Sequence, residues 1–169
     1  RNFAYAFVLQ SGPGIHSEPF MLTALKNLFA EVSGGDSAVA AISEQHELRK
    51  AVAGLLHEMM RMDSKQMPQE TQTASEALVA MFGLPDLEAK ALLEEAGNTR
   101  LTSYFDPASV IKRVLSLEQR IILVENLWRV AFADSDLDVY EDQFVRKIAH
   151  LIYVPNTECM LARQRVKGT

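Results

Sequence analysis

The densest chemical signal in this chain is Asp134-Ser135-Asp136-Leu137-Asp138-Val139-Tyr140-Glu141, which puts four carboxylates within eight residues. Hard divalent cations such as calcium or magnesium take several oxygen ligands from a short segment, so Asp134, Asp136, Asp138 and Glu141 are the candidate metal ligands. The segment opens with Asp-x-Asp-x-Asp, as an EF-hand loop does. It lacks the glycine needed at the sixth place, and its glutamate arrives at the eighth place instead of the twelfth, so it is not an EF-hand. A second reading needs no metal. Asp138 followed three residues later by Glu141 is a capping box, in which the Asp138 carboxylate accepts from the amide at Glu141. Asp134 then braces the turn and Leu137 plugs the core. The residues alone leave both readings open.

A weaker copy of the loop lies upstream. Laying Leu56 to Glu70 on Leu127 to Glu141 places Asp63 on Asp134, Ser64 on Ser135, Gln66 on Leu137 and Glu70 on Glu141 at one constant offset. Met67 stands where the second copy has Asp138, so Asp63 and Glu70 form only a weak metal candidate. Farther on, Leu84-Pro85-Asp86 answers Val154-Pro155-Asn156 after a one-residue deletion. Each half therefore reads as a helix, an acidic loop, a second helix, a proline break and a third helix. Two such units can bury against each other apolar faces that neither buries alone.

The elements that would hold these loops are helical throughout. Sustained apolar and polar alternation is absent and helix-period spacing recurs, which makes the fold class all-α, a bundle of about seven to eight helices from two pseudo-symmetric repeats. A first amphipathic stretch covers Phe20 to Val32, followed by a polar linker from Ser33 to about Ser43. The second helix is expected from Glu44 to Met62, with Leu48, Val52, Leu55, Leu56 and Met59 on one face. Pro68 opens a third that stops at Gly83, and Asp86 opens a fourth with Leu87, Ala91, Leu92 and Ala96 inward. Asp106-Pro107 starts a short fifth helix, and Ser116-Leu117-Glu118-Gln119 is a capping box for a sixth. Along that sixth helix Leu117, Ile121, Val124, Trp128, Ala131 and Phe132 mark a central core element. The last two run from Val139 to Ile152 and from Asn156 to Val166. The closing Arg163, Arg165 and Lys167 read as a solvated face at the negative end of the final helix.

Composition bounds the function. A chain of 169 residues, 48 % apolar, is of single-domain size with enough core to stand without staples. Residues 1–20 are expected to be a poorly ordered or extraneous extension, with one domain over residues 21–169. A formal net charge of -5 and a pI near 5.4 argue against nucleic acid as partner, because phosphate neutralisation needs clustered Lys and Arg. No run approaches the ~20 apolar residues of a membrane helix. The single cysteine, Cys159, excludes an internal disulfide, suits a cytoplasmic location and reads as a packing residue. No serine or cysteine sits in a nucleophile elbow and no glycine-rich phosphate loop exists, so no enzyme site is expected. His57 and His150 lack the spacing of a metal pair, and Met59, Met60 and Met62 read as core filling.

The stretch Leu127-Trp128-Arg129-Val130-Ala131-Phe132-Ala133-Asp134-Ser135-Asp136-Leu137-Asp138-Val139-Tyr140-Glu141 resembles the Ala-Asp-Gly-x-Leu-Asp-x-x-Glu loop of the tellurite-resistance TerB-like proteins, and Val145-Arg146-Lys147-Ile148-Ala149 continues it. The similarity covers about Met21 to Val166 and is more specific in the second half. It implies a pseudo-symmetric helical bundle with a role in tellurite stress. It also implies metal binding by clustered acidic residues, here Asp134, Asp138 and Glu141, with Asp63 and Glu70 in the first loop. Related domains stand beside chaperone J-domains and at the inner membrane surface, which implies a protein partner and allows peripheral membrane association. Ser135 and Ser64 replace the family's glycine, and Met67 replaces its aspartate. The expectation is a non-enzymatic stress-response module that binds a divalent cation and engages a partner. Its alternative is a pure interaction domain with structural acidic turns, and a metal-dependent hydrolase trails both.

Overall fold

The computed structural model describes residues 35–62, 68–99, 101–134 and 137–168. Among them it holds seven helices and no strand: α1 (Gly35–Met59), α2 (Pro68–Phe82), α3 (Asp86–Asn98), α4 (Phe105–Val114), α5 (Leu117–Ala131), α6 (Val139–Leu151) and α7 (Asn156–Lys167). The stretch Phe20 to Val32, Asp63 and Asp136 lie outside the described residues.

The expected linker is the main correction. Its portion from Gly35 to Ser43 is the first part of α1, which starts nine residues ahead of the expected Glu44. Ala38, Ala40 and Ala41 are the best helix formers available, Gly35 stands only at the first position, and extending a nucleated helix is cheap. Val39 and Ile42 are exposed there, so propensity and not packing carries these turns. The other starts are local. Ser116 accepts from the Gln119 amide at 3.3 Å while its own amide donates to Gln119 Oε1 at 2.9 Å, closing the predicted capping box of α5. Pro85 and Pro155 precede α3 and α7 with nearly identical dihedrals, φ -58°, ψ 144° and φ -57°, ψ 144°.

The ends of α2 and α6 also match. Gly83 has φ 64° and Tyr153, at the corresponding place after the deletion, has φ 57°. Glycine enters this left-handed region freely, whereas a tyrosine there is strained.

The core is continuous. From α1 it takes Val52, Leu55, Leu56 and Met59, and from α5 Leu123, Val124, Leu127 and Trp128, with Leu78, Ile111, Ile148 and Ile152 closing the sides. Central α5 packs on α1, α2, α6 and α7, while α1 packs on α3 and α4. Trp128 is fully buried and its Nε1 donates to the Cys159 carbonyl at 3.2 Å, which satisfies the polar edge of an otherwise apolar anchor. On α3 the inner face is Ala89 and Leu93, with Leu92 and Ala96 half-buried; Leu87, expected inside, is 81 % exposed, and Ala91 is exposed as well. The short helix turns Ala89 and Leu93, four residues apart, toward α1 and α2, which leaves the side carrying Leu87 and Ala91 in solvent.

Candidate functional site

The second acidic turn lies between the end of α5 and the start of α6. Its backbone enters α6 with Asp138 as the N-cap in extended conformation. Asp138 Oδ1 accepts from the Tyr140 amide at 2.7 Å, and the Asp138 amide donates to Glu141 Oε2 at 2.9 Å. Glu141 is 3 % exposed, so its carboxylate is spent on the helix start inside the protein. These are charge-assisted bonds to amides that no helical carbonyl reaches, placed where the helix dipole favours negative charge. Asp134 is half-buried in the turn after α5 and is engaged as well. Leu137 packs against the core, as expected. Val139 and Tyr140 turn outward, each 67 % exposed.

Glu70 holds the same place in the first half. It is the third residue of α2, as Glu141 is of α6, and is 1 % exposed. The matching place and burial extend the correspondence of the two halves, with Met67 standing in the sequence where the second half has Asp138.

For a calcium- or magnesium-type ion, several oxygens must converge on one point. Among the described residues no three His, Cys, Asp or Glu side chains group so as to hold a metal ion. Asp138 and Glu141 are bonded to backbone amides at the start of α6.

Three further features were not apparent in the chain. Arg163, expected on a solvated face, lies with its guanidinium over the rings of Trp128 and Phe132, at 5.5 and 6.0 Å, and 3.5 Å from Asp142 Oδ1. Its Nε is buried and makes no hydrogen bond among the described residues. The aromatic faces it meets supply the electrostatic compensation. His57 sits in the seam between α1 and α3 against Gly97, where a Cβ would stand 2.7 Å from Nε2. Burial there lowers its basicity, Arg61 lowers it further, and Glu58 opposes. A cleft of about 330 Å³ opens between α1, α3 and α4, floored by Ala51, Gly54, Ala96 and Leu101. The small pair Ala51 and Gly54, one turn apart on α1, was the sequence signal for it. Cys159 is buried, which pushes its thiol up and makes it a poor nucleophile.

No helix among the described residues is long and apolar enough to cross a membrane. Set beside known proteins, residues 49–164, more than half of the chain, match the family model described as tellurite resistance protein TerB. No curated protein and no solved structure matches the chain.

Proposed function

The chain belongs to the TerB family, and from that premise we propose that it is a non-enzymatic, cytoplasmic module of a tellurite-resistance-like stress response that works by engaging a protein partner. The observation that carries this reading is the state of the acidic turn. Asp138 and Glu141 are bonded to the amides that start α6, at 2.7 and 2.9 Å, so these carboxylates brace the helix start. That turn presents Val139 and Tyr140 to solvent in an acidic setting, the pattern of an exposed contact surface. The two halves are in this reading copies of one unit. The constant offset of the loops, the shared left-handed residue at Gly83 and Tyr153, and the twin proline entries support it.

A divalent cation held by Asp134, Asp136, Asp138 and Glu141 is the reading this one displaces, and calcium and magnesium titration separates the two. The apo chain is expected to give no binding heat and no melting shift up to millimolar cation. A heat signal that vanishes in the Asp134→Ala, Asp138→Ala double variant would overturn the structural turn in favour of an ion site. For the family role, deleting the gene is expected to sensitise its host to tellurite. Unchanged survival would count against the stress assignment.

A further inference from the structure

The cleft between α1, α3 and α4 is hollow because its floor is made of small residues. Ala51 and Gly54 of α1 and Ala96 of α3 leave a space of about 330 Å³, walled by Leu92, Leu101 and Val110. Gly54 stands inside a helix, where alanine is more favourable by about 1 kcal/mol. A Cβ there would have the Leu101 side chain as its nearest neighbour at 3.4 Å, an ordinary contact. Packing does not require this glycine, and its effect is to keep the floor open.

The second half shows that the helical unit does not require the hollow either. At the offset that lays Leu56 on Leu127, Ile122 stands for Ala51 and Glu125 for Gly54. At the offset of the proline entries, Val166 stands for Ala96. The seam between α5 and α7 carries these larger side chains, and Arg165 Nε reaches Glu125 Oε2 across it at 3.2 Å. This comparison rests on the halves being copies of one unit, whereas the cavity and its charge stand without it.

The rim is acidic after its ion pairs are counted. Lys50 is held by Glu95 at 2.7 Å, and Arg113 is shared by Glu44 and Glu47 at 3.1 and 3.3 Å. Asp106, in the first turn of α4, lines the cleft and is exposed, and its carboxylate makes no hydrogen bond or ion pair among the described residues. Four carboxylates thus face two cations around the rim, and that of Asp106 is free to take a partner. An apolar floor beneath a few polar groups is the lining of a small-molecule site, and this volume lies at the lower end of the range for one.

We propose that the cleft binds a small arylalkyl amine, with its ring on Ala51, Gly54 and Ala96 and its ammonium at the Asp106 carboxylate. Burial of the ring supplies most of the affinity, and a rigid ring loses little conformational freedom in the cleft. The excess of carboxylates then selects among ligands of one shape by charge, so that an acid is repelled where an amine is held. The site lies on other helices than the acidic turn and is independent of the stress role.

Calorimetric titration of the full chain with three probes of one ring system tests it: naphthylethylamine, the neutral naphthaleneethanol and the anionic naphthaleneacetate. The amine is expected to bind about ten-fold or more tighter than the acid, with the alcohol between them. Asp106→Asn should weaken the amine about three-fold or more and leave the alcohol unchanged. Ala51→Ile and, separately, Ala96→Val, which copy the second half, should each weaken all three probes about ten-fold, with circular dichroism verifying that the variants remain helical. Three results would overturn the proposal: no binding of any probe at millimolar concentration, an acid bound as tightly as the amine, or an amine that Asp106→Asn and Ala96→Val leave unaffected. Amine binding that weakens as the protein is concentrated would give the cleft to a second copy and overturn a small molecule as its occupant.

Discussion

Replacing Glu141 discriminates between a carboxylate that holds the fold and one that waits for an ion. The side chain is 3 % exposed and accepts from the Asp138 amide at 2.9 Å, so Glu141→Ala leaves that amide without its partner and a void in the turn. An orphaned buried donor costs about 1–3 kcal/mol, and the one lost methylene adds about 0.8 kcal/mol. Together the expected loss is about 2–4 kcal/mol, which for a chain of this size lowers Tm by roughly 5–15 °C. Glu141→Gln keeps an oxygen in the same place and loses only the charge assistance, so its expected cost is about 1 kcal/mol or less. The assay is urea and thermal unfolding followed by circular dichroism, with and without calcium. Two results would refute the reasoning: Glu141→Ala as stable as the wild type, or Glu141→Gln as damaging as Glu141→Ala. The second would mean that charge, and not an acceptor at this point, is what the site requires.

Two further outcomes follow from the same structure. His57 is held below its ordinary value of 6.5, chiefly by burial between α1 and α3, so the unfolded chain binds that proton more tightly than the folded one. Its contribution is intact above pH 6.5 and is lost as pH falls through that value toward the folded one, so unfolding measured from neutral to mildly acidic pH should show less acid sensitivity in His57→Gln than in the wild type; equal sensitivity would contradict the assignment. At the twin left-handed positions, Gly83→Ala should cost about 1 kcal/mol, whereas Tyr153→Gly should relieve strain and leave stability unchanged or raised, apart from the Lys112 contact. Denaturant midpoints decide it, and a Tyr153→Gly variant clearly less stable than the wild type would show that the ring contact outweighs the backbone.

Much of this architecture is written in short-range terms. The capping boxes at Ser116 and Asp138, the proline entries at Pro85 and Pro155, and the core spacing of Leu123, Val124, Leu127 and Trp128 depend on residues within about one turn of each other, so the sequence alone determines those helices and their starts. It also determined the family through the Asp134 to Glu141 loop, whose pattern is local. The N-terminal part of α1 was hidden because Ser33, Gly34, Gly35 and Ser37 signal a loop, while the alanines beyond them favour continuation, and nothing local settles that competition. Only the tertiary structure could decide what the carboxylates do. Their number between Asp134 and Glu141 suits an ion as well as a turn, and only the packed chain shows Glu141 buried and accepting from the Asp138 amide. It alone could also move Arg163 from a charged run onto Trp128 and set Lys112 over Tyr153 and Lys147 over Tyr104, because these contacts join segments distant in the chain. Periodicity tells which side of a helix is apolar, but which neighbour meets it, and which charges are left without partners, is fixed only when the helices pack.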